Sequence, residues 1–170
     1  MGKIWIVGAG PGDPDLITVK GLNILQTADC ILYTDSLVND ELIAKAKENA
    51  EIVKTSGMHL EEMVSFIVER VRQGKKVARI HTGDPSMYGA IAEQIALLKK
   101  ENVRVEIIPG VSSVFASAAA VQAELTIPEL TQTLILTRAE GRTPVPEKEK
   151  LKELASHHCT IALLLSATLT

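Results

Sequence analysis

Along its first 120 or so residues the chain alternates between short, largely apolar runs and longer stretches in which apolar residues return every third or fourth position. The unbroken apolar runs at 4–7 and 30–33, and the mixed runs at 51–54, 76–81 and 104–108, read as strands. The stretches between them have helical spacing. Residues 14–27 place Ile17, Gly21, Ile24, Leu25 and Ala28 on one face, with Asp13 as the expected N-cap and Pro14 in the first helical position. Residues 59–73 line up Leu60, Met63, Val64, Ile67, Val68 and Val71. A more polar helix is expected at 39–48, and two further helices at 90–100 and 114–121.

This repeated strand-to-helix alternation predicts an α/β domain with a largely parallel five-stranded sheet. Around 124–129 the pattern lapses. A strand at 133–137, a polar loop at 138–146, a charged helix at 147–156 and an apolar strand at 160–165 then open a second α/β unit. The expected domains are 1–127 and 128–170. A unit as short as the second has little area to bury. The sequence therefore predicts a second domain that is incomplete here, or that completes itself against another chain.

Composition narrows the function. Aromatic residues make up 3% of the chain, so the core is expected to be aliphatic. A net charge of -3 with both signs interspersed gives no basic stripe and argues against nucleic acid as a partner. No apolar run reaches the ~18 residues of a membrane span, and no export signal is read. Cys30 and Cys159 lie far apart inside apolar runs, without a zinc or disulfide spacing, and read as buried free thiols of a cytoplasmic protein. No metal spacing joins the histidines, so no metal is expected.

The candidate chemistry sits in two loops that follow strands, where an open parallel sheet binds its ligands. The first is Gly8-Ala9-Gly10-Pro11-Gly12-Asp13-Pro14-Asp15; the second is Thr82-Gly83-Asp84-Pro85-Ser86-Met87-Tyr88-Gly89. The first superficially invites a dinucleotide, with Asp35 ending the next strand as a ribose-binding acid would. Three details oppose that. Asp13 stands where the third glycine of the fingerprint belongs, Pro11 and Pro14 remove N–H groups a pyrophosphate would use, and Asp13 and Asp15 put negative charge at a helix start. The loop better suits a neutral or cationic ligand. Taken alone, Gly83-Asp84-Pro85 is an ordinary turn, Asp84 a turn-capping residue, Ser112-Ser113 an N-cap pair, and His81 a core histidine.

Together these loops carry a resemblance. Val7-Gly8-Ala9-Gly10-Pro11-Gly12-Asp13-Pro14, Thr82-Gly83-Asp84-Pro85 with Tyr88-Gly89, and Pro109-Gly110-Val111-Ser112-Ser113 resemble, in order, the motifs of the tetrapyrrole methylase family. Ser56-Gly57-Met58, the run from His81 to Ala90 and Thr137-Arg138-Ala139-Glu140-Gly141-Arg142-Thr143-Pro144 are similar to the branch that methylates precorrin-4-type rings at C-11 in cobalamin biosynthesis. The resemblance implies a methyltransferase that uses S-adenosylmethionine on a corrinoid precursor. It also implies two α/β domains with the donor in the cleft between them, and a homodimer. Carried over by position, Pro11, Thr82, Gly83, Asp84, Ser112, Ser113 and Leu165 would contact the donor. Gly10, Asp13, Arg138 and Arg142 would meet the substrate, whose carboxylates call for arginines. Asp84 and Tyr88 are the catalytic candidates. Members of the family run past the point where this chain stops, which places the rest of the second domain outside it. The alternatives are another tetrapyrrole methylase, such as one acting on uroporphyrinogen III, a methylase of RNA or modified protein histidine on the same fold, a nicotinamide oxidoreductase, and a non-catalytic donor-binding fragment.

Overall fold

The computed structural model describes residues 2–141 and 143–166. The first unit holds five strands, β1 (Lys3–Gly8), β2 (Cys30–Tyr33), β3 (Glu51–Lys54), β4 (Val77–His81) and β5 (Arg104–Ile108), in the order β3-β2-β4-β1-β5. Every pairing is parallel. The all-apolar runs became strands because both faces of the sheet are covered: all four residues of β2 are buried, as are Ile4, Ile6, Val7 and Gly8 of β1.

Two cores flank the sheet. On one face α1 (Val19–Thr27) and α2 (Asp40–Ile43) bring Ile24, Leu25, Leu42 and Ile43 against Val7, Ile31, Ala78, Ile80 and Ile108. On the other, α3 (Leu60–Arg72) and α4 (Ile91–Lys100) bring Val64, Ile67, Val68, Val71 and Leu98 against Ile4, Cys30, Leu32 and Val77. Crossovers from β1 to β2 and from β2 to β3 run one way along the sheet and those from β3 to β4 and β4 to β5 run the other. Right-handed connections then put the helices on opposite faces. The same reversal leaves β1 between β4 and β5, with three loops at one end of the sheet.

Several helices differ from the sequence expectation. The one expected at 14–27 is a 3-10 turn, Pro14–Leu16, followed by a break and then α1. Asp13 caps the turn, accepting from the Asp15 N–H at 2.9 Å. Ile17 and Thr18 are extended, and the Thr18 hydroxyl caps α1 through the Gly21 N–H at 3.1 Å. A β-branched capping residue thus starts a second helix on the same apolar face. The helix expected at 39–48 shortens to α2, capped by Asn39. That expected at 147–156 divides at the extended Lys150 into a 3-10 turn, Glu147–Glu149, and α6 (Leu151–Ala155).

Contacts divide the chain into Met1–Ser113 and Val114–Thr170, whereas the lapse in hydropathy falls near 127. The second unit takes in nearly all of α5 (Ser113–Ala120), together with α6 and the parallel pair β6 (Leu134–Arg138) and β7 (Thr160–Leu164). Leu130 and Leu163 are among the large apolar side chains it leaves exposed. Cys30 is buried and free; Cys159, also free, is only half-buried, a correction to the expectation that both are buried. Among the described residues no helix is long and apolar enough to cross a membrane.

Candidate functional site

Three turns meet at the carboxyl ends of β4, β1 and β5, all within the first unit. Gly10 and Gly83 exchange backbone hydrogen bonds, N–H to O at 3.2 Å one way and 2.7 Å the other, and the Ala9 N–H donates to the His81 carbonyl at 2.6 Å. The sequence-predicted loops are therefore one structure, with Pro11 beside the Gly10–Gly83 link. The turn after β5 joins them by close approach. A Cβ on Gly110 would lie 2.2 Å from the Gly83 oxygen and 2.8 Å from the Gly8 Cα, and one on Gly8 would lie 2.6 Å from the Gly110 Cα. Only glycine lets three backbones come this near. Gly8 and Gly110 are thus structural members of the site that the sequence showed as motif residues without showing why.

Asp84 fastens this junction. Its Oδ1 accepts from the Ser86 N–H at 2.8 Å and from the Ser86 hydroxyl, and its Oδ2 accepts from the Gly110 N–H at 2.9 Å. Partial burial raises its pKa, and the Ser86 and Gly110 hydrogen bonds outweigh that and hold the carboxyl below its ordinary value, so it stays ionised. Thr82 is exposed and Gly83 adopts a left-handed φ of 58°. Beyond the turn, Tyr88 is 44% exposed with φ 54°, and Ala90 follows with φ 50°, so the backbone presents the tyrosine from a strained segment. Ser112 is buried and Ser113, the first residue of α5, is exposed.

Below the turns lies a buried polar layer that sequence reading missed in part. Arg79 is 6% exposed and faces no carboxylate among the described residues; it donates to the Ile80 carbonyl at 3.0 Å and to the Thr34 hydroxyl at 2.9 Å. Burial pushes its pKa down to about 10, which leaves it charged at neutral pH. His81, two residues on and on the same face, is driven down to about 4 by burial and then by the Arg79 charge. It is a neutral core histidine, as its place at the end of a buried strand suggested. Arg79 Nε, His81 Nε2 and Gln94 Oε1 have no partner among the described residues. A period of two says that Arg79 shares a face with Val77, but cannot reveal that this face stays buried so close to the loops.

The remaining candidates belong elsewhere. Asp13 is exposed and spends one oxygen on capping. Arg138, at the end of β6 in the second unit, donates to the carbonyls of Ala139, Thr143 and Pro144 at 3.0–3.3 Å, so its guanidinium shapes its own loop. Leu165, after β7, is 75% exposed with φ 54°. Arg142 lies outside the described residues.

Against this geometry, residues 3–169 match the family model of Tetrapyrrole (Corrin/Porphyrin) Methylases. The chain is 71% identical over 168 residues to a cobalt-precorrin-4 C(11)-methyltransferase of Priestia megaterium and 57% identical over 167 residues to one of Methanocaldococcus jannaschii. These alignments take in 99% and 98% of this chain but 65% and 64% of those relatives, so the chain spans a little under two thirds of their length. Among solved structures, a cobalt precorrin-4 methyltransferase described as a cobalamin biosynthetic enzyme superposes with a TM-score of 0.97 at 70% identity, over 98% of this chain and 70% of that one. A uroporphyrin-III C-methyl transferase of Thermus thermophilus complexed with S-adenosyl homocysteine gives 0.78 at 28% identity, over 98% of this chain and 67% of that one.

Proposed function

The chain belongs to the tetrapyrrole methylase family, and on that premise we propose that it serves the methylation of C-11 on a cobalt-precorrin-4-type ring, with S-adenosylmethionine as donor. The observation that carries this reading is the junction of the three turns. Glycines at 8 and 110 pack its turns backbone to backbone, and its first loop has prolines at 11 and 14 and carboxylates at 13 and 15 where a phosphate site would offer N–H groups. That chemistry fits a ligand with a cation and no phosphates. The methyl-transferase names of the relatives point to the same class.

When bound, the donor supplies a methyl group already activated by its sulfonium sulfur. What remains for the protein is alignment and the exclusion of water. Gly8 and Gly110 let the turns pack against one another, and Gly83, whose added Cβ would meet nothing nearer than the Ser112 Cα at 4.0 Å, leaves space beside the junction. Asp84 keeps its negative charge at the junction and fixes the Gly110 turn relative to the Gly83 turn. We therefore assign it a positioning part. Tyr88, held outward, offers a ring face to a flat macrocycle. Gly10 and Asp13 of the same loop are assigned to the substrate on the family resemblance. Of the two arginines at and beyond the end of β6, we assign Arg142 to the substrate carboxylates and Arg138 to the shape of the loop. Ser112 and Ser113 are assigned to the donor on the strength of their place after Gly110.

We also propose a cytoplasmic homodimer. The free thiols of Cys30 and Cys159 support the compartment, and the family resemblance supports the dimer. The deciding experiment is calorimetry with S-adenosylhomocysteine and with NAD, followed by mass spectrometry of products from precorrin-4, with and without cobalt, and from uroporphyrinogen III. Binding of S-adenosylhomocysteine and a one-methyl gain on the precorrin-4 ring are expected. Binding of NAD alone would overturn the reading.

A further inference from the structure

We propose that Asn39 is a positioning residue that sets the backbone of the loop around Pro11, and so the donor affinity of the site; this rests on the donor reading given above. The loop needs an outside tie. Gly10 and Gly12 have φ of 81° and 130°, a region in which a chain without side chains has great freedom to lose. One side of Pro11 is fixed by the paired hydrogen bonds between Gly10 and Gly83. The other side is fixed from α2: Asn39 Nδ2 donates to the Gly12 carbonyl at 3.0 Å. Pro11, whose ring already fixes its own φ, is thereby strung between two anchors.

The orientation of the Asn39 amide is determined by its other bond. Its Oδ1 accepts from the Glu41 N–H at 2.9 Å as the N-cap of α2, so the amide nitrogen must face the loop. Serine, threonine and aspartate cap a helix equally well. Asparagine alone among the common capping residues adds N–H donors at that reach. The anchor is firm because Leu42 and Ile43 of α2 are buried in the core shared with Val7 and Ala9. Beside the tie, Ala9, Gly10 and Gly12 of the loop face Leu37, Val38 and Leu42 across a crevice too narrow for a water molecule. The nearby Lys45–Asp15 pair at 3.3 Å joins exposed side chains and adds little.

The test uses Asn39→Asp and Asn39→Ser, which keep the cap and lose the donor to Gly12. Hydrogen exchange of Gly12, Asp13 and Glu41, the thermal midpoint and S-adenosylhomocysteine affinity are measured on the whole chain. Both variants are expected to keep Glu41 protection and the midpoint, to exchange Gly12 and Asp13 faster, and to bind S-adenosylhomocysteine about fivefold more weakly, the worth of one hydrogen bond. Unchanged affinity with unchanged loop exchange overturns the proposal. So does a loss of protection spread over α2, which would make Asn39 a cap and nothing more. If the wild-type chain does not bind S-adenosylhomocysteine, the donor reading fails, and loop exchange still decides whether Asn39 holds the loop.

Discussion

Replacing Gly110 by alanine puts a single carbon where three backbones meet. The new Cβ would stand 2.2 Å from the Gly83 oxygen, 2.8 Å from the Gly8 Cα and 3.0 Å from the Gly8 carbonyl carbon. All three are main-chain atoms, so no rotamer change relieves the clash. Non-bonded carbon contacts settle near 3.5 Å, so the β5 turn must move by about 1 Å. The Gly110 N–H bond to Asp84, 2.9 Å in the native chain, then opens past the useful range. Overpacking of this kind costs about 1–3 kcal/mol, and losing a hydrogen bond to a charged group about 1.5–3 kcal/mol. A loss of about 2.5–6 kcal/mol is therefore expected, a large part of the 5–15 kcal/mol that holds a typical domain. Urea unfolding followed by Trp5 fluorescence measures it, since the chain's one tryptophan lies on β1, the strand that ends in Gly8 at the junction. Gly57→Ala is the control, because nothing stands within 4 Å of its added Cβ. It should leave stability within about 0.5 kcal/mol or raise it slightly. If Gly110→Ala unfolds at the wild-type urea concentration, or if Gly57→Ala does equal damage, the close-approach argument is refuted.

Asp84→Ala should cost about 1–3 kcal/mol by stranding the Gly110 and Ser86 N–H groups. Asp84→Asn, which keeps one acceptor, should cost less and yet weaken S-adenosylhomocysteine binding; equal losses in both variants, read by urea unfolding and calorimetry, would count against a positioning part. His81 should make folding pH-dependent. Its folded pKa of about 4 lies below the ordinary 6.5, so the unfolded chain takes the proton first. Stability is then complete above pH 6.5 and falls between 6.5 and 4 by on the order of 3 kcal/mol. His81→Gln should flatten the wild-type curve in that window, and an unchanged slope would exclude His81 as its source. The Cys30 thiol is pushed up to about 11 by burial, so iodoacetamide at pH 8 should label the half-buried Cys159 and reach Cys30 only in urea. Mass spectrometry that finds native Cys30 alkylated would contradict its burial.

Strand β2 was legible because burial on both faces leaves no polar alternation to confuse, and β3, though half-exposed at the sheet edge, also has the expected bounds of 51–54. Helix limits were less so. Apolar spacing from Ile17 to Ala28 is the same whether or not Thr18 interrupts it, and only the extended backbone at Ile17 and Thr18 decides. In the site, the glycine and proline punctuation announced the loops after β1 and β4, and chain order placed Ser112 beside them. What spacing could not carry was contact between distant segments. The Gly8–Gly110 approach depends on strand order, and the tie from Asn39 to Gly12 on where α2 comes to rest. The uncompensated charge of Arg79 depends on which helices cover β4. Each is a fact of three-dimensional placement that no local pattern encodes.

The place of β1 also governs how the chain is made. Of the five strands of this sheet it is the first synthesised, yet Ile4 pairs with Val77 and Lys3 with Arg104, so its partners are the last two of the five. Strands β2 and β3 can pair early, leaving a gap in the sheet that stays open until β4 and β5 emerge. Such long-range parallel closure is slow, and during it the apolar Ile4–Val7 run is exposed to other chains. The loop that follows β1 acquires its shape only when Gly83 and Gly110 arrive. Nascent chains that end before Gly110 should therefore occupy chaperones and show no trace of the site, however native their early helices are.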